Sequence, residues 1–113
     1  MTYDEVLSQR MRDALDGLPA ISEKKMMGGV CFLINGNMVG GAHRDKKTGI
    51  GNFMFRVGKD NETEAIKVHG AGEMIMGERK MGGFVQAEEE IENTAFTNLV
   101  SLAVSFAGSL PPK

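Results

Sequence analysis

Residues 24–41, KKMMGGVCFLINGNMVGG, constrain this chain more than any other stretch. They comprise an apolar run (30–34), the pair Asn35-Gly36, and a second run that returns. A two-residue type I′ turn needs positive φ at both central positions, so Asn-Gly between apolar runs specifies a β-hairpin. With Asn35 and Gly36 at the centre, Ile34 faces Asn37. An unbroken register then puts Val30, Phe32, Val39 and His43 on one face, and Cys31, Leu33, Met38 and Ala42 on the other. Both faces carry apolar groups. One is expected to lie under helices; the other needs cover from a loop, a helix or a partner subunit.

The flanking sequence supplies those helices. Tyr3, Val6, Leu7, Met11, Ala14, Leu15 and Leu18 recur at helical spacing. A capping box, Thr2 to Glu5, precedes them, and Gly17 and Pro19 stop them. Residues 21–27 read as a short strand or an extended lead-in, broken by Gly28-Gly29. Residues 45–49 form a polar turn. Residues 52–57 form a strand with Phe53, Phe55 and Val57 on one side and Asn52, Met54 and Arg56 on the other. Asp60 or Asn61 caps a short helix through Val68. Short strands follow over 74–76 and 83–87.

The last helix is expected from about Glu89 to Ala107, opened by Glu88, Glu89, Glu90 and Glu92, which suit its dipole. Thr94, Asn98, Ser101 and Ser105 make one narrow polar stripe in it. The remaining apolar arc is wider than a helix resting on a single sheet face requires. It is either sandwiched within the monomer or buried between two copies, and a homodimer is the expectation. The apolar interface so predicted comprises Leu33, Met38 and Met54 from the strands and Phe96, Val100 and Val104 from the helix.

At 113 residues the chain makes one domain with enough buried surface for a core. The formal net charge of −2 gives no overall attraction to nucleic acid or anionic lipid. Charge is segregated along the chain, however. Residues 24–59 hold seven Lys or Arg against one acid, and residues 60–92 hold nine acids against three bases. Two solvated faces are the plain reading, and Lys24, Lys25, Arg44, Lys46 and Lys47 mark the alternative, a partner surface. With Arg79 and Lys80 they could also meet nucleic acid. Without a recognition helix or interleaved aromatics, sequence-specific binding is not expected, and any DNA affinity should be weak and fall steeply with salt. A lone cysteine excludes an internal disulfide and fits a reducing cytoplasm. Charges interrupt the first residues where a signal peptide would need an apolar run, and no segment has the ~20 apolar residues of a membrane span.

Candidate chemistry is sparse. Cys31 and His43 suggest a nucleophilic dyad, but the unbroken register sends them to opposite faces, and a buried unassisted thiol is inert. His43 and His69 have no metal-ligand spacing to each other or to Cys31. Met74, Met76 and Met81 imitate a soft copper site, although methionine more often fills core gaps. Among the fifteen glycines, Gly70-Ala71-Gly72 leads into a strand, not into a helix that could hold a phosphate. There is no Walker lysine and no nucleophile elbow. No catalytic, cofactor or metal residue is assigned.

The segments EKKMMGGVCFLINGNMVGG, FMFRVG and MIMGERKMGGFVQ, the opening TYDEVLSQRMRDAL and the closing SFAGSLPPK together resemble the TfoX N-terminal domain family. That resemblance spans nearly the whole chain. It implies a two-layer α+β domain of order α-β3-α-β2-α, with an antiparallel sheet of about five strands, similar to secretion-chaperone-like folds. It also implies a role without catalysis, since the family includes regulators of natural competence that work with the cyclic-AMP receptor protein at promoters. The expected function is therefore protein–protein contact in transcriptional regulation, with transcription machinery as partner. The alternatives are a binding module for a small ligand or protein client on the Met-lined sheet face, and a small enzyme.

Overall fold

The computed structural model describes residues 5–26, 29–45, 47–68, 70–76 and 79–112. The chain runs α1 (Glu5–Ala14), β1 (Ile21–Met26), β2 (Gly29–Ile34), β3 (Asn37–Arg44), β4 (Gly51–Arg56), a 3₁₀ turn (Lys59–Asn61), α2 (Glu62–Ile66), β5 (Ala71–Met76), β6 (Arg79–Glu88) and α3 (Asn93–Ser109). The strands form one antiparallel sheet of six, ordered β1-β2-β3-β4-β6-β5. The fold is α+β, with one strand more than the expected five. The addition is β1, the stretch read from sequence as a short strand or an extended lead-in, whose ISEKKM carries three charges. Charged residues on an edge strand discourage pairing with a further chain.

The Asn35-Gly36 turn forms as its chemistry requires, with φ of 52° and 82° at the two residues. The register beyond it corrects the sequence reading. Ile34 pairs with Asn37 and Leu33 with Met38, but Phe32 then pairs with Gly40, because Val39 is an extra residue, a β-bulge. Every later residue of β3 changes face. Ala42 joins Val30 and Phe32 on the inner face, and His43 moves to the face of Cys31. The bulge also lets Val39 and Gly40 both serve the inner side. A Cβ at Gly40 would meet the Met54 carbonyl oxygen and come within 3.4 Å of the Met11 methyl group. Glycine is what permits that approach.

The inner face is the core. Phe53 and Phe55 of β4, Val57 just after it, Phe32, Val39 and Val85 are fully buried, as their alternation predicts. Leu7 and Met11 of α1 and Leu15 in the turn after it enter this cluster with Ser8 beside them, whereas Val6 and Leu18 are exposed. The expected α1 stripe is thus narrower than its apolar content. The Thr2–Glu5 box lies outside the described residues. From α3, Ala95, Phe96, Leu99, Val100, Ala103 and Ala107 are buried in the same cluster, while Thr94, Asn98, Ser101 and Ser105 face solvent. Phe96 meets Phe53 edge-on at 4.8 Å and Phe55 at 5.8 Å. Offset and edge-on ring pairs are the favoured aromatic arrangement.

The helix boundary of α3 is also corrected. Glu88 ends β6 and Glu89-Glu90 form a turn. Only Glu92 reaches the N-cap, and its side chain makes no capping bond. Glu89 instead pairs with Arg44, at 2.7 Å from Nη2.

Candidate functional site

Among the described residues, the helices pack on one side of the sheet and leave the other bare. The pairing register places Ser22 and Lys24 of β1, Cys31 and Leu33 of β2, Met38, Gly41 and His43 of β3, and Asn52, Met54 and Arg56 of β4 on this outer face. Phe84, Gln86 and Glu88 of β6 continue it. Leu33, Met38, Met54 and Phe84 are half-buried there. Of the apolar interface predicted from sequence, the three strand residues Leu33, Met38 and Met54 do come together. Phe96 and Val100, however, are only 4% and 5% exposed in the monomer's own core, so neither is a surface for a partner. Val104 is half-buried on α3, on the other side of the sheet from the strand residues.

The predicted basic surface does not converge. Lys24 and Lys25 pair with Cys31 and Val30, so as strand neighbours they point to opposite faces. Arg44 is held by Glu89 and by the Gly49 carbonyl, which accepts from its Nη1 at 2.6 Å. Lys47 is exposed in the β3–β4 loop, and Lys46 lies outside the described residues. Folding therefore interleaves charges that the sequence keeps apart. Arg12 and Glu23 are a second such pair, joining α1 to β1. The side chains of Arg79, Lys80 and Met81, and His69 as a whole, lie outside what the structure describes.

The β3–β4 loop is tied by Asp45, whose Oδ1 accepts from the backbone N–H of Lys47 at 2.7 Å and of Thr48 at 3.2 Å. Those two bonds hold the Asp45 carboxyl below its ordinary value. A depressed folded-state value means the carboxylate's contribution is complete above the unfolded carboxylate range and is lost as pH falls through the lowered value. The loop is thus expected to keep its turn to pH values where ordinary carboxylates are protonated. Amide shifts of Lys47 and Thr48 should titrate together, and below the usual aspartate range.

The bulge places Cys31 on the face of His43, so opposite faces no longer separate them. They are diagonal rather than paired, since Cys31 faces Gly41 and His43 faces Gly29. Diagonal cross-strand neighbours sit about 7–8 Å apart, and no hydrogen bond joins thiol to imidazole. The thiol is 7% exposed, although among the described residues no helix lies on its face, and burial pushes its pKa up. The Met54 methyl, 3.6 Å from where a Gly41 Cβ would stand, lies over the adjoining backbone. A protonated buried thiol is a poor nucleophile. Cys31 is accordingly expected to react with a disulfide reagent in native buffer far more slowly than in denaturant. Equal rates would show that the face is open.

A cleft of about 700 Å³ lies at the sheet end nearest Arg56, lined by Arg56, Lys59, Asp60, Asn61, Phe84, Ser105, Phe106 and Ser109 over a floor of glycines. Its floor is tied down. The Gly83 carbonyl accepts from the N–H of Val57 at 2.9 Å and of Gly58 at 3.0 Å. The Gly83 N–H donates to Glu62 Oε1 at 2.6 Å. Gly58 has φ of 85°, and a Cβ there would be 2.5 Å from the Phe106 ring. Arg56 stands over that ring, 5.3 Å from its centroid. Sequence reading missed this constellation because its members come from four separate elements. Gly58 and Gly82-Gly83 are the one local hint.

Among the described residues, no group of three His, Cys, Asp or Glu could hold a metal ion. Likewise among them, no helix is long and apolar enough to cross a membrane. In comparisons with known proteins, a family model described as TfoX N-terminal domain matches residues 13–107. No curated protein and no solved structure matches the chain.

Proposed function

The chain belongs to the TfoX N-terminal domain family, and from that premise we propose a domain that acts without catalysis, by protein–protein contact in transcriptional regulation. Its contact surface is the bare face of the sheet. One observation supports this reading above others: among the described residues, the buried apolar side chains of the helices join a single cluster on the inner face, while Leu33, Met38, Met54 and Phe84 stand half-exposed on the outer one. A sheet with apolar groups on an uncovered face has surface to bury against another molecule.

The occupant is a protein segment that carries apolar side chains beside acids. Lys24 and Arg56 flank the apolar strip on this face, and Glu88 stands at the other end of the strands from Arg56. Two flanks of one sign favour an acidic partner, and in a symmetric pair of copies they would set cation near cation. The expected homodimer is therefore the second outcome of the test, not the proposal.

The test compares the chain with its Met54→Glu variant, a change at a half-buried position of the outer face, with thermal unfolding measured on both to confirm that each is folded. Each serves as bait in native lysate, and each is weighed in solution. Transcription proteins held by the wild type and released by the variant are the expected result. Identical captures, or a client unrelated to transcription, would overturn the reading. A dimer abolished by Met54→Glu would assign the face to a second copy.

A further inference from the structure

We propose that the cleft beside Arg56 is a binding site for a small carboxylate with a flat apolar body, a site that shares Arg56 and Phe84 with the edge of the partner face but is argued from other observations. Three features carry it. The cleft is large enough for such a molecule, since small-ligand sites run from about 300 to 1,000 Å³. It is pre-formed, with its glycine floor fixed by the bonds of Gly83 to Val57, Gly58 and Glu62. It also combines two aromatic side chains with two cations. Phe84 and Phe106 supply apolar surface, and Arg56 and Lys59 supply the charge.

Arg56 is placed to receive a ligand. Its guanidinium lies over Phe106, and among the described residues no carboxylate or carbonyl accepts a hydrogen bond from it. The ring fixes the guanidinium without using its N–H donors, which fit a carboxylate in a bidentate pair. Lys59 is exposed at the rim, and its Cε would touch a Cβ placed on Gly82 at 3.3 Å. A side chain on Gly82 would therefore crowd the same space.

Charge decides among anions. Against Arg56 and Lys59 stands Asp60, which also lines the cleft. The last turn of α3 adds carbonyl groups with partial negative charge, one of them, Phe106 O, bonded by the Ser109 hydroxyl at 2.7 Å. Two cations are opposed by Asp60, by Glu62 beneath the Gly83 floor and by a helix C-terminus, so the cleft suits no more than a single negative charge, received by the Arg56 guanidinium. A phosphate dianion or polyphosphate would meet too little positive charge and too much negative. The ligand class is thus a carboxylate, and the aromatic side chains favour a flat apolar body.

Naphthoate is a suitable probe, with naphthalenemethanol as its uncharged counterpart and inorganic phosphate as the competing anion. In NMR titrations naphthoate should shift the amides of Gly58, Lys59, Gly82 and Gly83, saturating with a Kd near or below about 1 mM. Arg56→Gln should weaken binding about tenfold, and naphthalenemethanol should bind at least that much worse. Phe106→Leu should weaken it as well. Lys59→Gln, at an exposed position, checks the charge requirement without risk to folding. Met54→Glu, which disables the partner face, should leave naphthoate binding intact, so the two proposals fail separately. The assignment is overturned by any of four results: no saturable shift, shifts confined to other residues, equal binding of the alcohol, or a preference for phosphate.

Discussion

Replacing Phe53 by alanine is expected to lower the unfolding free energy by about 3–5 kcal/mol, the range for deleting a buried aromatic ring. Phe53 is fully buried at the centre of the inner face. Its ring meets Phe96 of α3 at 4.8 Å and Phe55 at 6.3 Å, with the Arg10 guanidinium 5.4 Å from its centroid. Elements from both ends of the chain converge on it, so no single side chain can shift to fill the space. The ring's transfer free energy and the cavity left behind add. A denaturation midpoint that falls at unchanged slope is the measurement. A loss below about 1.5 kcal/mol would mean that the core collapses around the gap. Phe53→Leu should retain more than half of the stability that alanine loses.

Arg10→Ala is expected to be the next most damaging change, at about 1–3 kcal/mol, because one part-buried guanidinium completes several bonds at once and covers an aromatic ring. Arg10 donates to the carbonyl of Glu89 at 3.0 Å, to that of Ile91 at 2.7 Å, and to Asn93 Oδ1 at 3.0 Å. It also stands over the Phe96 ring, 4.3 Å from the centroid. One side chain of α1 thereby fixes the turn between β6 and α3, some eighty residues away. Burial holds its pKa below the ordinary arginine value, the electrostatic cost of that position. Arg10→Lys should recover little, since a single ammonium on a flexible stem cannot reach all three acceptors in one plane. A double-mutant cycle with Phe96→Leu separates the ring contact from the hydrogen bonds, with a coupling of about 0.5–2 kcal/mol expected.

Neither Arg10 nor the Arg56 cleft is legible in the sequence, and the reason is the same for both. Arg10 occupies the polar side of a helix pattern, where arginine ordinarily faces water. Its acceptors are backbone carbonyls, which have no sequence signature. Arg56 alternates out of a strand, and its cleft is closed by glycines and by α3. In both cases the function of the residue depends on which distant backbone lies beside it. The acids show the converse. Glu89 looked like dipole complement for α3 because helix starts favour carboxylates, yet β6 runs on to Glu88 and leaves Glu89 opposite Arg44.

A single inserted residue decides how Cys31 and His43 lie relative to each other. Period-two alternation is rigid, so a register inferred from a turn holds only while no residue is inserted. Val39 is inserted, and the faces of Ala42 and His43 exchange. Gly40-Gly41 was the available signal, because glycine inside a strand often marks a bulge or a close backbone approach. The dyad stays unformed, but for reasons of distance and burial rather than of facing.

The sequence by itself determined the Asn35-Gly36 hairpin, the inward set Phe53, Phe55 and Val57, the α+β class and the membership of the family. Each of these rests on turn chemistry, short-range periodicity or contiguous motifs, which act within a few residues. Tertiary structure alone decided the bulge at Val39, the pairing of Arg44 with Glu89, the burial of Phe96 and Val100 in the monomer, and the bare outer face. These depend on which segments lie beside one another, and long-range packing leaves no local mark.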